Sequence, residues 1–181
     1  MSEIIRRLWI CSAEDAANPR FVRATRATHV LNCAEECPVE EYPTGFEDKP
    51  LISWKVSMID DEDGAEPEDI IAAAWKIHEW LDSPRAGQVV LVHCRAGISR
   101  SPTVVMAYLI LHRDMTFEEA ETLVREARNF ICPIPYWRGI LAGLESVREA
   151  VLAAGPPGAS AATTDPLPET QPEMGQSSDQ E

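Results

Sequence analysis

The fold of this chain is decided by the stretch Val89-Val90-Leu91-Val92-His93-Cys94-Arg95-Ala96-Gly97-Ile98-Ser99-Arg100-Ser101. Its first residues are apolar and mostly β-branched, which predicts a buried strand, and the apolar run from Thr103 to Leu111 predicts a buried helix. A tight loop between a strand and a helix N-terminus points backbone N–H groups into one concavity, which favours binding of an anion. The residue in line to attack such an anion is Cys94.

Length, composition and charge limit the classes of protein that this chain can belong to. Its 181 residues, 45% of them hydrophobic, fit one globular domain with a tail. Because no apolar run is long enough to span a membrane and Met1 to Arg7 lacks the apolar core of a signal peptide, we expect the cytoplasm, with the nucleus as the alternative. The net charge of −14 argues against nucleic acid or an anionic membrane as a partner, although it permits a small positive pocket. The sequence carries no signal for an oligomeric state.

The five cysteines do not suggest a disulfide framework, because their number is odd and no secretion signal precedes them. Cys33 and Cys37 have the spacing of half a zinc site, but no second pair matches them. We therefore expect buried or half-buried thiols, and neither a metal nor another cofactor.

The rest of the chain alternates predicted strands and helices. Short strands are predicted at Leu8 to Ile10, Thr28 to Cys33 and Ile52 to Ile59, with Asn18-Pro19 as a turn inside a short helical region, Ser12 to Arg26. Helices are predicted from Pro67 to Leu81, from Thr103 to His112, after a capping box at Thr116 to Glu119, and from Trp137 to about Ala154. This alternation predicts an α/β fold with a mainly parallel central sheet flanked by helices. The domain is expected to cover residues 1–154, and residues 155–181, rich in Pro, Ser, Thr and acidic residues, are expected to form a disordered tail.

The loop after Cys94 has the residues that phosphate chemistry needs. Backbone N–H groups, the helix N-terminus and Arg100 should lower the pKa of Cys94, so that its thiolate attacks phosphorus in line. The planar fork of Arg100 matches two phosphate oxygens, and Gly97 permits a close backbone approach. Ser101 can donate a hydrogen bond to the sulfur when the thiolate leaves. We expect His93 to orient the loop through its ring nitrogens.

A proton donor for the leaving oxygen is expected in the acidic stretch that follows the strand at Ile52 to Ile59. One carboxyl group can protonate the leaving group and then activate water. Continuing the alternation of Val56 and Met58 leads to Asp60. Asp61 and Asp63 are the alternatives in the same stretch.

Over about residues 5–150 the chain resembles the dual-specificity protein phosphatases of the cysteine-dependent superfamily, in particular their small, atypical single-domain members. The resemblance is strongest at His93 to Ser101, and it extends to Leu8-Trp9-Ile10-Cys11-Ser12 and to Thr28-His29-Val30-Leu31-Asn32. It implies a tyrosine-phosphatase-like fold in which residues 1–154 form the catalytic domain. The implied roles are Cys94 as nucleophile, Arg100 as phosphate clamp, Ser101 as leaving-group aid and Asp60 as general acid.

The same resemblance implies that the loop Arg95, Ala96, Gly97, Ile98, Ser99 and Arg100 binds the phosphate and that His93 supports it. Arg125 matches a position that helps to bind a second phosphate in some members, although packing and charge pairing explain it equally well. One departure is Pro133-Ile134-Pro135, where the family often has Pro-Asn.

The function implied is hydrolysis of phosphotyrosine and phosphoserine or phosphothreonine in proteins through a phosphocysteine intermediate, with a phosphorylated protein as the partner. One alternative keeps this chemistry but acts on a phosphoinositide, an RNA 5′-phosphate or a phosphoglucan. The other is a catalytically inactive module that only binds phosphate groups.

Overall fold

A sheet of five strands forms the centre of the computed structural model, which describes residues 1–38, 42–59, 66–84 and 87–157. The strands in chain order are β1 (Ser2–Ile5), β2 (Leu8–Ser12), β3 (His29–Asn32), β4 (Ile52–Lys55) and β5 (Val90–Cys94). Their order across the sheet is β1-β2-β5-β3-β4, and only the pairing of β1 with β2 is antiparallel among these described strands. The mainly parallel sheet predicted from the sequence is confirmed.

Six helices surround this sheet within the described residues. They are α1 (Ala13–Ala16), α2 (Pro19–Thr25), α3 (Pro67–Leu81), α4 (Arg100–His112), α5 (Phe117–Ala127) and α6 (Pro135–Ala154). Buried residues of α3 to α6 share one apolar cluster with one face of the sheet, and those of α1 and α2 share a second cluster with the other face. Helix α4 is buried on almost all sides, as its continuous apolar run predicts.

The central strand β5 is buried along its whole length, because β2 and β3 flank it and helices cover both faces. Side chains alternate between the faces with a period of two, so Val92 and Cys94 belong to the cluster under α3 to α6 while Leu91 belongs to the other cluster. In register, Ser12 lies beside Cys94 and Asn32 beside His93. Strands β2, β3 and β5 therefore end together, at the edge where β5 passes into the loop before α4.

The structure departs from the expected elements at three places. Strand β1 was not predicted, because an edge strand as short and polar as Ser2–Ile5 has little apolar pattern. Asn18 and Pro19 do not form an isolated turn: the Asn18 side chain accepts a hydrogen bond from Arg20 N–H and caps α2, which begins at Pro19. Strand β4 ends at Lys55, short of the predicted Ile59.

Helix α6 ends at Ala154, where Gly155 adopts a positive φ of 77°. Residues 158–181 of the predicted tail lie outside the described residues, so the domain boundary stays a prediction. In the part of the chain that the structure describes, none of the helices is long and apolar enough to cross a bilayer.

Candidate active site

The loop between β5 and α4 is tied to the rest of the protein through its carbonyl groups. All four carbonyls of residues 95–98 accept hydrogen bonds from outside the loop. The donors are Ala13 N for Arg95, Arg128 Nη2 for Ala96, Arg128 Nε for Gly97 and Cys132 N for Ile98, at 3.1, 3.2, 2.6 and 2.8 Å. Because the carbonyls turn outward, the N–H groups of the loop turn inward and line a concavity, which is the arrangement that an anion-binding loop needs.

Gly97 allows the loop this shape. Its φ of 70° lies in the left-handed region, and a Cβ atom there would stand 2.6 Å from the carbonyl oxygen of Cys11 and 2.8 Å from Nη2 of Arg128. The first of these neighbours is backbone of β2, which cannot move aside easily. Glycine is therefore required here both by conformation and by space.

The Cys94 sulfur lies at the centre of the inward-facing donors. Gly97 N–H donates to Sγ at 3.2 Å and the Ser101 hydroxyl donates at 3.4 Å, while the residue as a whole is only 2% exposed. Burial alone would raise the pKa of Cys94, but hydrogen bonds from the Ser101 hydroxyl and from the backbone N–H groups of Ser101, Gly97 and Ile98 outweigh it. The pKa of Cys94 is thus lowered from its ordinary value.

Arg100 begins α4 and is almost completely buried beside the loop, with 4% of its surface exposed. Its Nη1 donates to the Met58 carbonyl at 3.1 Å, and its Nη1 and Nη2 donate to the two carboxylate oxygens of Glu36 at 2.5 and 2.6 Å. The hydrogen bonds from Arg100 lower the pKa of Glu36 to about 2. Glu36 therefore stays ionised, and its charge compensates the buried guanidinium locally.

His93 has partners at both ring nitrogens. The Tyr42 hydroxyl lies 2.8 Å from Nε2, and Nδ1 lies 3.2 Å from the Cys94 carbonyl oxygen. Burial lowers the pKa of His93 to about 4 and raises the pKa of Tyr42 to about 12, so near neutral pH the imidazole is uncharged and the phenol keeps its proton. We assign the tautomer in which Nδ1 donates to the carbonyl and Nε2 accepts from Tyr42.

The remaining predicted loop residues differ in exposure. Arg95 and Ala96 are exposed, Ile98 is half-buried and Ser99 is buried. The rim thus carries one exposed positive charge, at Arg95. Arg125, the predicted second-phosphate residue, donates instead to the Ile131 carbonyl at 3.1 Å and to Glu121 at 2.9 Å, which is the packing and charge pairing that the sequence left open.

The three candidate general acids, Asp60, Asp61 and Asp63, lie outside the described residues. The described chain reaches Ile59, and Met58, two residues before Asp60, is the residue whose carbonyl accepts from Arg100. The chain therefore enters the acidic stretch from a point beside the loop between β5 and α4.

Sequence reasoning missed three residues that support this site: Glu36, Tyr42 and Arg128. Each is distant from the loop along the chain and is brought to it by the order of strands and helices. One signal was available for Glu36, because it follows the C-terminal end of a parallel strand, and such ends converge on one edge of a sheet.

Two buried cysteines lie close to the end of β5, one in the apolar cluster on each face of the sheet. Cys33 follows Asn32 and its N–H donates to the His93 carbonyl at 2.7 Å, which places it laterally beside Cys94 in the same apolar cluster. Cys11 lies in the cluster on the other face of the sheet. Burial raises the pKa of both flanking thiols. Within the described residues, no group of three or more His, Cys, Asp or Glu side chains is arranged to hold a metal ion.

Comparisons with known proteins agree with one another on the family. Residues 8–145 match the family model described as "Dual specificity phosphatase, catalytic domain". "Dual specificity protein phosphatase 1B" of Arabidopsis thaliana is 32% identical over 152 residues, which are 83% of this chain and 83% of that protein. "MAP kinase phosphatase with leucine-rich repeats protein 3" of Dictyostelium discoideum is 34% identical over 145 residues, 80% of this chain but only 16% of the relative.

Among solved structures, human DUSP28 superposes with a TM-score of 0.68 and 24% sequence identity, covering 83% of this chain and 99% of that one. At this identity the likeness concerns the fold alone, and it confirms the tyrosine-phosphatase-like architecture. The chain spans less than a fifth of the length of the Dictyostelium relative, so most of that protein lies outside the matched region.

Proposed function

This chain belongs to the dual specificity phosphatase family, and from that premise we propose that it hydrolyses phosphate monoesters of proteins, on tyrosine and on serine or threonine. The observation that carries the proposal is the convergence of donors on the Cys94 sulfur, with Gly97 N–H at 3.2 Å and the Ser101 hydroxyl at 3.4 Å. A buried thiol with a lowered pKa inside an anion-binding loop is a nucleophile placed where a phosphate binds.

The reaction proceeds in two displacements. The Cys94 thiolate attacks phosphorus, so that a sulfur–phosphorus bond forms while the ester oxygen–phosphorus bond breaks. Asp60, with Asp61 and Asp63 as alternatives, gives a proton to the departing oxygen. Water then attacks the phosphocysteine and loses a proton to the same carboxylate. The sulfur–phosphorus bond breaks, inorganic phosphate leaves, and the Ser101 hydroxyl stabilises the returning thiolate.

The other loop residues bind and position the phosphate. The inward N–H groups of Arg95, Ala96, Gly97, Ile98 and Ser99 surround its oxygens, and Arg100 adds a planar charged donor. His93 holds the chain at Cys94 through its two ring hydrogen bonds.

The rim of the loop fits a phosphate on a protein better than a more highly charged substrate such as a phosphoinositide or RNA. The residues between Cys94 and Arg100 include no lysine, and Arg125 is already engaged by Glu121. The net charge of −14 also disfavours RNA and anionic lipid surfaces. A location in the cytoplasm or nucleus stays a prediction from the sequence.

The test compares phosphate release from phosphotyrosine, phosphoserine and phosphothreonine peptides with release from a phosphoinositide, a 5′-phosphorylated RNA and a phosphoglucan. We expect turnover of the peptides, inhibition by vanadate, no effect of EDTA, and loss of activity to background in Cys94→Ser. Turnover of a non-protein substrate in preference to all peptides would transfer the same chemistry to that substrate. Tight peptide binding without any turnover by the unmutated protein would leave only the phosphate-binding module.

The general acid has its own test within this scheme. Asp60→Asn should slow hydrolysis of an alkyl phosphate much more than that of an aryl phosphate with a good leaving group, because only the poor leaving group needs the proton. Asp61→Asn and Asp63→Asn are the matched controls. If one of them shows the leaving-group dependence instead, the acid is reassigned to that residue.

A further inference from the structure

Glu36 is placed against the phosphate-binding arginine by a turn at the end of β3. Its two carboxylate oxygens accept from Nη1 and Nη2 of Arg100 at 2.5 and 2.6 Å. The two residues are 64 positions apart in the chain, so the sheet order that sets β3 beside β5 is what brings them together. The guanidinium is planar, so this two-point grip, with the Met58 carbonyl as a third acceptor, fixes the plane of the group.

The turn that carries Glu36 is itself held at several points. The Asn32 side chain accepts from Ala34 N–H at 2.9 Å and donates to the Cys37 carbonyl at 3.1 Å, so it clamps both ends of the turn. Lys55 of β4 donates to the carbonyls of Glu35 and Cys37 at 2.9 and 2.8 Å. These contacts fix the backbone that carries Glu36 relative to the sheet.

The Met58 carbonyl joins this turn to the arginine. It accepts from Glu35 N–H at 3.1 Å and also from Arg100 Nη1 at 3.1 Å. The turn after β3, the segment after β4 and the first residue of α4 thus meet at one acceptor. Any shift of the guanidinium away from its place would break contacts to two separate segments.

We propose that Glu36 is a positioning residue, which holds the Arg100 guanidinium in the orientation that receives the phosphate. The proposal rests on the proposed function, because it assigns Glu36 a part in the same phosphate-binding site. Glu36 itself is 43% exposed at the side chain while Arg100 is 5% exposed, so the carboxylate supports the buried charge from the solvent side. The opposing view is that the carboxylate occupies Arg100 in competition with the phosphate.

Glu36→Gln separates these views, because it keeps the shape of the side chain and removes its charge. Glu35→Gln is the matched control, since it removes the same charge from the neighbouring position in the same turn. We measure the inhibition constant of vanadate and kcat and KM for an aryl phosphate in full-length protein. A charge-assisted pair between a buried and a half-exposed group supports a weakening of vanadate binding and of kcat/KM by roughly tenfold. Glu35→Gln should change either quantity less than about twofold.

Two further measurements separate positioning from a merely structural role. In an Arg100→Lys background, adding Glu36→Gln should weaken vanadate binding and lower kcat/KM by less than about threefold. The reason is that lysine has no planar guanidinium for the carboxylate to orient. In Glu36→Gln the pH dependence of Cys94 alkylation should stay at the wild-type value, whereas the melting temperature should fall, because the buried guanidinium loses its compensating charge. A shifted alkylation profile, with equal losses in the two backgrounds, would show that Glu36 only maintains the fold.

Unchanged or tighter vanadate binding in Glu36→Gln overturns the proposal, and tighter binding identifies the carboxylate as a competitor of the phosphate. Failure of the proposed function looks different: it would appear as full activity in Cys94→Ser or as no turnover of any phosphate ester, whatever stands at position 36.

Discussion

Replacing Ser101 by alanine should raise the pKa of Cys94 and slow breakdown of the phosphocysteine. The Ser101 side chain is fully buried, and its hydroxyl donates to the Cys94 sulfur at 3.4 Å. Burial raises the pKa of this thiol. Among the hydrogen bonds that lower it, the one from the Ser101 hydroxyl has the largest effect. A hydrogen bond to a charged group contributes about 1.5–3 kcal/mol. Losing this hydrogen bond should therefore raise the pKa of Cys94 and, at a pH below that pKa, slow alkylation of Cys94 by roughly tenfold or more.

The assay follows alkylation of Cys94 by iodoacetamide as a function of pH, with the modified peptide quantified by mass spectrometry. Only the thiolate reacts, so the midpoint of the rate profile reports the pKa and should move to higher pH. Ser99→Ala is the matched control, because the Ser99 hydroxyl is buried in the same loop and has no hydrogen-bond partner within the described residues. Coincident midpoints for Ser101→Ala and the wild type, or an equal shift in Ser99→Ala, would refute the reasoning.

Three other predictions concern the loop and its surroundings. Gly97→Ala should lose activity and at least about 1–2 kcal/mol of unfolding free energy in urea, because of its positive φ and because the new Cβ would stand 2.6 Å from the Cys11 carbonyl oxygen. Gly143→Ala in α6, with nothing near the new Cβ, should lose neither. Equal stability of Gly97→Ala and the wild type would contradict the loop geometry. Arg128→Leu should weaken vanadate binding at least about tenfold, since the buried Gly97 carbonyl and the part-buried Ala96 carbonyl lose their donor, while Arg20→Leu at an exposed position should not. An unchanged inhibition constant for vanadate would show that Arg128 does not support the site. Peroxide should link Cys94 to Cys33 in a disulfide that mass spectrometry detects, because lateral neighbours on parallel strands lie about 4.8 Å apart, within disulfide range. Exclusive over-oxidation of Cys94 would show that Cys33 does not protect it.

The sequence predicts those residues of the site that lie close together along the chain. Cys94, Gly97, Arg100 and Ser101 lie within eight consecutive positions, and the strand, loop and helix that hold them each have their own apolar pattern. Their mutual geometry follows once those elements are recognised. The mainly parallel sheet follows in the same way from buried strands separated by helices.

The supports of the loop could not be predicted because they depend on tertiary contacts. Arg128 reaches the Gly97 carbonyl from 31 positions away, and Glu36 reaches Arg100 from 64. Before the strand order is known, Glu36 is one of several acidic residues after β3 and nothing distinguishes it from Glu35. Asn18 and Pro19 illustrate a local ambiguity, because the same pair favours either a turn or a helix start.

The central claim is that phosphate passes through a covalent bond to Cys94. The most direct measurement stops the reaction with acid during turnover of an aryl phosphate and searches the digested protein for phosphorylated peptides. We predict one phosphoryl group on the peptide that contains Cys94, more of it in Ser101→Ala, where its breakdown is slowed, and none in Cys94→Ser. Steady turnover with no phosphorylated Cys94 at any time, or a phosphoryl group on a different residue, would contradict the account.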